Sequence, residues 1–314
     1  MNKNVTEEQF NNFMAENGMD YEVKTMNIPD PFTGEASRFH ATYRTDNNHV
    51  FQMGLSKNFT PIQNKDSMGV IRDLSNVTEL EMVNGGVWGG GAGLYAQISL
   101  GDMEIGKNGD KIGKYLSVVN SHDGSKAMHV LITPFRYWCK NQISPSLADA
   151  RNATKDRFIT IRHTASADTK IEEMVKTISI ADGAFQRTQE IYQKLADTKI
   201  NAEYVKETLE KLFPLNPEAG KRGITMWENT QTAIKERFND ADYGRTEVNT
   251  AWNLYNAIQG TIQHDGKNTS NKTRSVLMGS IADRSAKALT CVLDTCSSEH
   301  IPQSVMNEIE GMTA

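Results

Sequence analysis

Long apolar runs are missing from this sequence of 314 residues, and cysteine is scarce, with three residues in all. No window approaches the roughly 18 consecutive apolar residues that a membrane-spanning helix needs. Cys291 and Cys296 have a spacing that fits neither a zinc site nor a redox pair. We therefore expect no membrane span, no bound metal and reduced cysteines.

The amino-terminal stretch also lacks the features of a targeting signal. The sequence MNKNVTEEQFNNFMAENGMD is polar and acidic, whereas a secretory signal peptide has a basic start and an apolar run. This composition predicts an intracellular protein. A hydrophobic content of 38%, with 11 Phe, 9 Tyr and 4 Trp, is enough to fill a core without disulfide bonds or metals.

The chain has no large excess of charge of one sign. Its net charge of −5 excludes a wholly basic nucleic-acid coat protein. The distribution is uneven, because residues 107–162 hold ten basic and four acidic residues, a net charge of +6 that leaves −11 for the rest. A basic centre between acidic flanks is typical of an anion-binding groove, although ordinary surface variation also produces such asymmetry.

The first half of the sequence alternates between apolar and polar residues in the manner of β-strands. The segments YEVKTMNI, SRFHATYRT and HVFQMGLS are separated by turn residues and predict hairpins. Two more strands flank the glycine-rich residues 84–93, and Asn108-Gly109 predicts a hairpin turn further on. In AMHVLITPF we expect Pro134 to end a strand of this sheet.

Helical periodicity flanks the predicted strands and dominates the second half of the chain. Thr6 precedes acidic residues and predicts a short capped helix, and a second helix follows Pro61. From Asp168 onward the 3.6-residue period prevails. We therefore predict an α+β protein, with a mostly antiparallel, β-rich half and packed helices at residues 1–165, and a helical half at residues 166–314.

Two glycine-containing segments resemble phosphate-binding loops but lack their context. Residues 101–108, GDMEIGKN, match Gly-x4-Gly-Lys, yet no Ser or Thr follows, and NGDKIG predicts a turn where a P-loop needs a helix. Residues 85–93, GGVWGGGAG, lead into a strand and so cannot form a dinucleotide fingerprint. We interpret the second segment as a hairpin loop or bulge, while Trp88 within it is a candidate for stacking on a base.

Residues of catalytic type occur in the central region. A cysteine nucleophile needs a base within hydrogen-bond reach, and the histidines have no spacing typical of a metal site. The segment NSHDGS, residues 120–125, is rich in residues that favour a tight turn between strands. We predict no catalytic residue and expect a scaffold role for the candidates, which are His122, Asp123, Cys139 and His163.

Basic and aromatic side chains alternate in TPFRYWCKNQI, residues 133–143. Such interleaving allows cations to contact phosphates while rings stack on the bases of a single strand. The basic residues continue past the point where core packing would explain them. The predicted nucleic-acid-binding residues are Lys107, Lys111, Lys114, Arg136, Lys140, Arg151, Lys155, Arg157 and Arg162, and the candidate stacking residues besides Trp88 are Tyr137 and Trp138.

Several segments, in order, resemble the signatures of one known family. They are NFTPIQNKD, YLSVVNSHDGSKA, TPFRYWCKNQI, IRHT and TAWNLYNAIQGTIQHDG, and they extend over roughly residues 50–265. The family occurs in phages and plasmids and is known only as a domain of unknown function. The resemblance implies a mobile-element protein in the cytoplasm of a bacterial host and supplies no established active site.

The layout of strands and helices is also similar to the core of phage single-strand annealing recombinases of the Redβ, RecT and Erf class. This similarity implies a non-catalytic, multimeric protein without a cofactor that binds and anneals single-stranded DNA, with the acidic helical half at oligomer or partner contacts. RNA and duplex DNA stay open as ligands. The alternatives are a hydrolase or nuclease, metal-dependent or based on His122, Asp123 and His163, and a structural or host-takeover protein that binds another protein.

Overall fold

Antiparallel strands lie mostly in the first half of the chain and helices dominate the second half, as the change of periodicity predicts. The computed structural model describes residues 5–78, 82–136, 141–142, 158–167, 180–240, 248–265 and 272–295. The protein is α+β, with strands mostly in the first half and helices in the second. The predicted fold class is confirmed.

A three-stranded antiparallel sheet forms first. Its strands are β1 (Val23–Pro29), β2 (Ala36–Arg44) and β3 (Val50–Ser56), with β2 in the centre. Helix α1 (Glu7–Glu16) precedes the sheet, which confirms the predicted capped helix, and Thr6 and Gln9 form a capping box at its start. Helix α2 (Asn64–Thr78) follows the sheet, after the proline that the sequence places there.

A larger sheet occupies the centre of the chain. Its strands are β4 (Met82–Trp88), β5 (Gly93–Ile105), β6 (Asp110–Ser121), β7 (Met128–Arg136), β8 (Asn141–Gln142) and β9 (Phe158–Ile161). They are ordered β4-β5-β6-β7-β8, and β9 also pairs with β7. The turn between β5 and β6 runs from Gly106 to Gly109, both at positive φ, which confirms the predicted Asn108-Gly109 turn.

The prediction that Pro134 ends a strand is wrong. Strand β7 continues through the buried Pro134, and Phe135 and Arg136 pair with Gln142 and Asn141 of β8. Proline removes one backbone donor, but its fixed φ is compatible with an extended strand. Because Phe135, the residue after Pro134, pairs with β8, the strand lacks one backbone N–H donor at Pro134 and continues beyond it.

Helices form most of the regular structure after residue 180. They are α3 (Ile180–Asp197), α4 (Ala202–Leu212), α5 (Lys221–Asn239), α6 (Ala251–His264), α7 (Lys272–Met278) and α8 (Ser280–Thr295). Side-chain caps begin two of them, since Asn201 accepts from Tyr204 N and Thr250 accepts from Asn253 N. No helix in the described part of the chain is long and apolar enough to cross a membrane.

The chain forms two compact units, and each unit consists of three separate stretches of the sequence. The first comprises Met1–Leu100, Tyr115–Ile132 and Lys155–Ala181, and the second comprises Gly101–Lys114, Thr133–Thr154 and Asp182–Ala314. Strands β5 and β6 therefore have residues in both units, and their turn belongs to the second. The predicted division at residue 165 stays a prediction.

Helix α6 is the central element of the second unit. Every residue from Ala251 to Gly260 is buried, and the rings of Trp252 and Tyr255 lie 4.9 and 6.4 Å from that of Tyr192 on α3, measured between centroids. Apolar residues of the β5–β6 hairpin join the same core cluster, namely Met103, Ile105 and Ile112. The hairpin turn is thereby held by the helical core.

Candidate functional site

Residues from three of the sequence signatures meet in the first unit. Asn64 begins α2, His122 follows β6 and His163 follows β9. The Nε2 of His122 lies 2.7 Å from Asn64 Oδ1, and the ring centroids of the two histidines are 6.5 Å apart. All three side chains are buried. We refer to these three residues as the histidine cluster.

The amide of Asn64 fixes the position of the hydrogen on His122. Its Nδ2 donates to the carbonyl oxygens of Met19 and Tyr21, at 2.8 and 3.2 Å, so its Oδ1 can only accept. The His122 Nε2 beside that oxygen must therefore carry the hydrogen and donate it. In the neutral ring the lone pair then lies on Nδ1.

The backbone before α2 fixes His163 in the same way. The N–H of Ile62 donates to His163 Nδ1 over 3.2 Å, so the hydrogen of the neutral ring lies on Nε2. The carbonyl oxygen of Ile62 accepts from Asn120 Nδ2 at 3.0 Å, and Thr60 N donates to the His163 carbonyl oxygen at 3.2 Å. The segment between β3 and α2 is thus hydrogen-bonded both to His163 and to Asn120.

Phenylalanine rings cover both histidines and keep them neutral. Phe51 stacks on His122 with centroids 5.9 Å apart, and Phe59 stacks on His163 at 4.7 Å. Burial lowers the pKa of His122 from 6.5 to about 3, and His163 acts in the same direction. Burial lowers the pKa of His163 to about 4, against an opposing effect of the Thr60 backbone. Such weak bases are poorly matched to proton transfer near pH 7.

Asp123 is bonded within its own turn. Its Oδ1 accepts from Ser121 Oγ at 2.5 Å and from Ser125 N at 2.9 Å, and Gly124 has a φ of 71°. These bonds confirm the turn predicted for residues 120–125. A catalytic dyad needs a histidine N–H bonded to the carboxylate, whereas the N–H of His122 donates to Asn64.

The glycine-rich segment is a packing element of the first unit, which confirms its interpretation as a hairpin loop. Gly89–Gly91 form a 3₁₀ turn between β4 and β5. A Cβ atom at Gly93 would lie 2.1 Å from Trp88 Cε2, so the indole packs directly on this glycine. Trp88 is 4% exposed and presents no face to a ligand in this conformation. Its stacking on a base stays a prediction.

Three of the predicted nucleic-acid-binding lysines lie on the β5–β6 hairpin. Lys107 in the turn and Lys111 at the start of β6 are exposed, while Lys114 is half-buried with its Nζ 5.8 Å from the centroid of the Phe185 ring. Asp110, the acidic residue between the two exposed lysines, is 4% exposed. The turn therefore presents lysines to solvent and withdraws its carboxylate.

Acidic side chains limit the surface on which phosphates could bind. Asp102 and Glu104 on β5 are exposed. In the first unit, a pocket of about 630 Å³ includes four carboxylates and one lysine in its lining: Asp20, Glu22, Asp46, Asp66 and Lys65. Such a lining repels polyanions.

The other predicted site residues are only partly described. Arg162 follows β9 and is exposed, and Arg136 is the last residue of β7. Their contacts with nucleic acid stay predictions, as do those of the residues that lie outside the described part of the chain, which are Tyr137, Trp138, Lys140, Arg151, Lys155 and Arg157. Cys139 also lies outside it.

The sequence-based reasoning missed the polar residues that organise the histidine cluster. Gln63 accepts from Val23 N at 3.0 Å and donates to Val23 O at 2.9 Å, which attaches the start of α2 to β1. Tyr21 donates to Gly91 O at 2.6 Å, and burial raises its pKa to about 12. The available signal was the pair of amides, Gln63 and Asn64, at a predicted helix start, where side chains often bond backbone groups.

The structure thus defines an α+β protein with a buried histidine cluster and an exposed basic hairpin turn. The chain belongs to the family described as domain of unknown function DUF932, whose model matches residues 54–288. The match includes the histidine cluster and the β5–β6 hairpin, and phage or plasmid origin stays a prediction. Neither the curated proteins nor the solved structures contain a match to the chain.

Proposed function

We propose that this protein binds and anneals single-stranded DNA without cleaving it, through a basic surface that includes the β5–β6 turn. One observation carries the proposal: Lys107 and Lys111 are exposed, whereas Asp110 between them is buried. The lysines can therefore approach phosphates while the carboxylate that would repel the strand is held in the core.

The support beneath the turn favours binding. Ile105 and Ile112, on either side of it, are fully buried in the core cluster of the second unit. A turn held in this way loses little conformational freedom when a ligand binds, so less of the binding free energy is spent on ordering it. Lysine side chains on a rigid hairpin can therefore bind the phosphates of flexible single-stranded DNA.

Multimeric binding is part of the proposal, because one small group of lysines binds weakly. Non-specific contacts to a few phosphates give dissociation constants on the order of 10⁻⁴ to 10⁻⁶ M at physiological salt. Repeating the surface around an oligomer would multiply the contacts on one strand. We further propose that the protein serves recombination or replication of a mobile element in the bacterial cytoplasm, with the acidic remainder of the chain directed away from the DNA.

The hydrolase alternative has less support. Its candidates, His122 and His163, are buried, and burial lowers both pKa values well below 7. In the described part of the chain, no group of three or more His, Cys, Asp and Glu is placed to hold a metal. Incubation with single- and double-stranded DNA and Mg²⁺ should leave the DNA intact. Cleavage that His163→Gln abolishes in a folded protein would favour the alternative.

Fluorescence anisotropy with a labelled single strand, over a range of KCl concentrations, tests the proposal. The double variant Lys107→Ala/Lys111→Ala should bind more weakly, and its log–log salt slope should fall by roughly 0.7 for each phosphate that is no longer neutralised. The matched control is Lys221→Ala/Lys235→Ala, which removes two exposed lysines of α5, outside the basic segment. Equal effects of the two double variants would contradict a specific role of the turn.

Annealing and partner binding need separate measurements. Fluorescence energy transfer between two labelled complementary strands should show faster pairing with the wild-type protein than with the Lys107→Ala/Lys111→Ala variant. If the wild-type protein shows no affinity for single strands even at low salt, the proposal fails. A protein partner would then be the better explanation of the basic segment.

A further inference from the structure

Two buried nitrogen atoms of the histidine cluster have no hydrogen-bond partner among the described residues. They are His122 Nδ1 and His163 Nε2. The two residues are 0% and 7% exposed, and their ring centroids are 6.5 Å apart in an edge-to-face arrangement. Buried polar atoms are nearly always bonded in native proteins, so each such atom requires an explanation.

The hydrogen-bonding roles of these two nitrogens are opposite. His122 donates from Nε2 to Asn64, which leaves a lone pair on Nδ1. His163 accepts at Nδ1 from Ile62 N, which leaves a hydrogen on Nε2. One histidine therefore offers an acceptor and the other offers a donor, and both roles are set by neighbours other than the partner ring.

We propose that His122 and His163 form a buried binding site for a single water molecule. The water accepts from His163 Nε2–H and donates to His122 Nδ1, so both nitrogens are satisfied. Phe51 and Phe59 stack on the faces of the two rings and leave the ring edges with their nitrogens for the water. A buried water typically bridges polar groups in this way.

Other ligand classes fit less well. A metal ion needs lone pairs from both nitrogens, but His163 presents N–H because its lone pair accepts from Ile62. An anion would face the lone pair of His122 Nδ1. Only a molecule that both donates and accepts satisfies the pair.

The water would complete a continuous chain of hydrogen bonds through the first unit. The chain begins at Ile62 N–H and passes through His163, the water, His122 and Asn64 to the carbonyl oxygen of Met19. Every donor points in the same direction, and bonds aligned in this way polarise and strengthen one another. The chain connects the segment before α2 with that before β1, and thereby fixes both histidine tautomers.

Nuclear magnetic resonance of the wild-type protein tests the site directly. With ¹⁵N-labelled histidine, long-range proton–nitrogen correlations at pH 7 should show neutral rings with the hydrogen on Nε2 for both His122 and His163. The His163 Nε2 proton should also give a cross-peak to a bound water. A hydrogen on Nδ1 of His163, or no water cross-peak to an observed Nε2 proton, would overturn the proposal.

A double-mutant cycle provides an independent measurement. His122→Phe and His163→Phe each remove their outer bonds to Asn64 and Ile62 in the single and double variants alike, so the cycle isolates the interaction between the rings. We expect the effects on the unfolding equilibrium constant to deviate from multiplicativity by a factor of about ten, and a factor below about two would overturn the proposal. His122→Phe with His129→Phe is the control, because His129 bonds Thr160 Oγ1 at 3.0 Å.

Discussion

Trp252 Nε1 donates a hydrogen bond to Asp110 Oδ2 over 2.9 Å, across 142 positions of the chain. Both residues are buried, at 0% and 4% exposure. The bond joins the first residue of β6 to the central helix α6 and gives a donor to the buried carboxylate that lies in the sequence between Lys107 and Lys111. One hydrogen bond thus connects the helical core to the surface that we propose for DNA.

Trp252→Phe should lower the free energy of unfolding by about 1–3 kcal/mol beyond the effect of the smaller ring, because the buried Asp110 carboxylate loses a donor. Urea unfolding followed by circular dichroism measures the change. Trp227→Phe is the control, since Trp227 Nε1 donates to the half-buried Phe213 carbonyl oxygen at 2.7 Å. We expect a smaller decrease there, and a larger one would count against the prediction.

Gly93 should not tolerate a side chain. In Gly93→Ala the new Cβ would lie 2.1–2.4 Å from three atoms of the Trp88 indole, so the ring must move, at a cost of about 3 kcal/mol. Gly69→Ala in α2 is the matched control, because its Cβ would meet only the Arg72 side chain, at 3.8 Å. That control should be stabilised by about 0.5–1 kcal/mol. Similar unfolding midpoints for the two variants would refute the packing argument.

Stability should decrease in mild acid because of the histidine cluster. The pKa values of His122 and His163 are about 3 and about 4 in the folded protein, below the 6.5 of an ordinary histidine. Between about pH 6.5 and pH 4 the unfolded chain therefore binds protons that the folded chain does not, which lowers the free energy of unfolding by up to about 1.4 kcal/mol per pH unit and histidine. Well above pH 6.5 the rings are neutral in both the folded and the unfolded chain, so neither contributes a pH dependence.

Urea unfolding at pH 7, 6 and 5 measures this dependence. His163→Gln removes one of the two buried rings, so its stability should fall less steeply with acid than that of the wild-type protein. His49→Gln, at an exposed position, should leave the steepness unchanged. If His163→Gln and the wild type show the same pH dependence, His163 does not stay neutral in the folded protein.

Removing negative charge beside the hairpin turn should strengthen DNA binding. Asp102 and Glu104 are exposed on β5 in the same unit as Lys107 and Lys111. Asp102→Asn/Glu104→Gln should raise the affinity for a single strand several-fold at low salt, and the gain should disappear at high salt as the charges are screened. Fluorescence anisotropy titrations at a low and a high salt concentration measure this difference in affinity. Glu203→Gln/Glu207→Gln on α4 is the control, and an equal gain there would indicate only a general effect of net charge.

In the segment that follows β7, charged and aromatic residues should affect the salt dependence of DNA binding differently. Lys140→Ala or Arg157→Ala should each lower the log–log salt slope by roughly 0.7, the value of one contact to single-stranded DNA. Trp138→Ala should weaken binding by about 1–3 kcal/mol and leave the slope nearly unchanged, because a stacked ring releases no counterions. A change of slope in Trp138→Ala would show that the indole is not a stacking platform.

The local elements of the fold were predictable where each carries its own signal. The Thr6 capping box, the Asn108-Gly109 turn and the turn around Asp123 all depend on residues within a few positions of one another. Pro134 was misjudged because its strand continues through pairing with β8, a partner that sequence alone does not supply. Periodicity indicates what an element is and not what it pairs with.

The histidine cluster was predictable only in part. A scaffold role for His122 followed from its turn-forming neighbours, but its partner Asn64 is 58 positions away and marked only as a polar residue at a helix start. The burial of Trp88 was likewise unforeseen, because a tryptophan among glycines is equally consistent with an exposed ring and with one packed on Gly93. The boundaries between the compact units have no local sequence signal either, because two of them fall inside the continuous strands β5 and β6.

The β5–β6 hairpin is synthesised long before the central helix of the core that it joins. Asp110 leaves the ribosome 142 residues before Trp252, its partner in the helical core. At about 5–20 residues per second, that interval lasts on the order of ten seconds. Throughout it, the core cluster that includes Ile105 and Ile112 lacks its central helix, α6. A nascent chain with this topology completes the core around the hairpin only late in translation, after α6 has been synthesised.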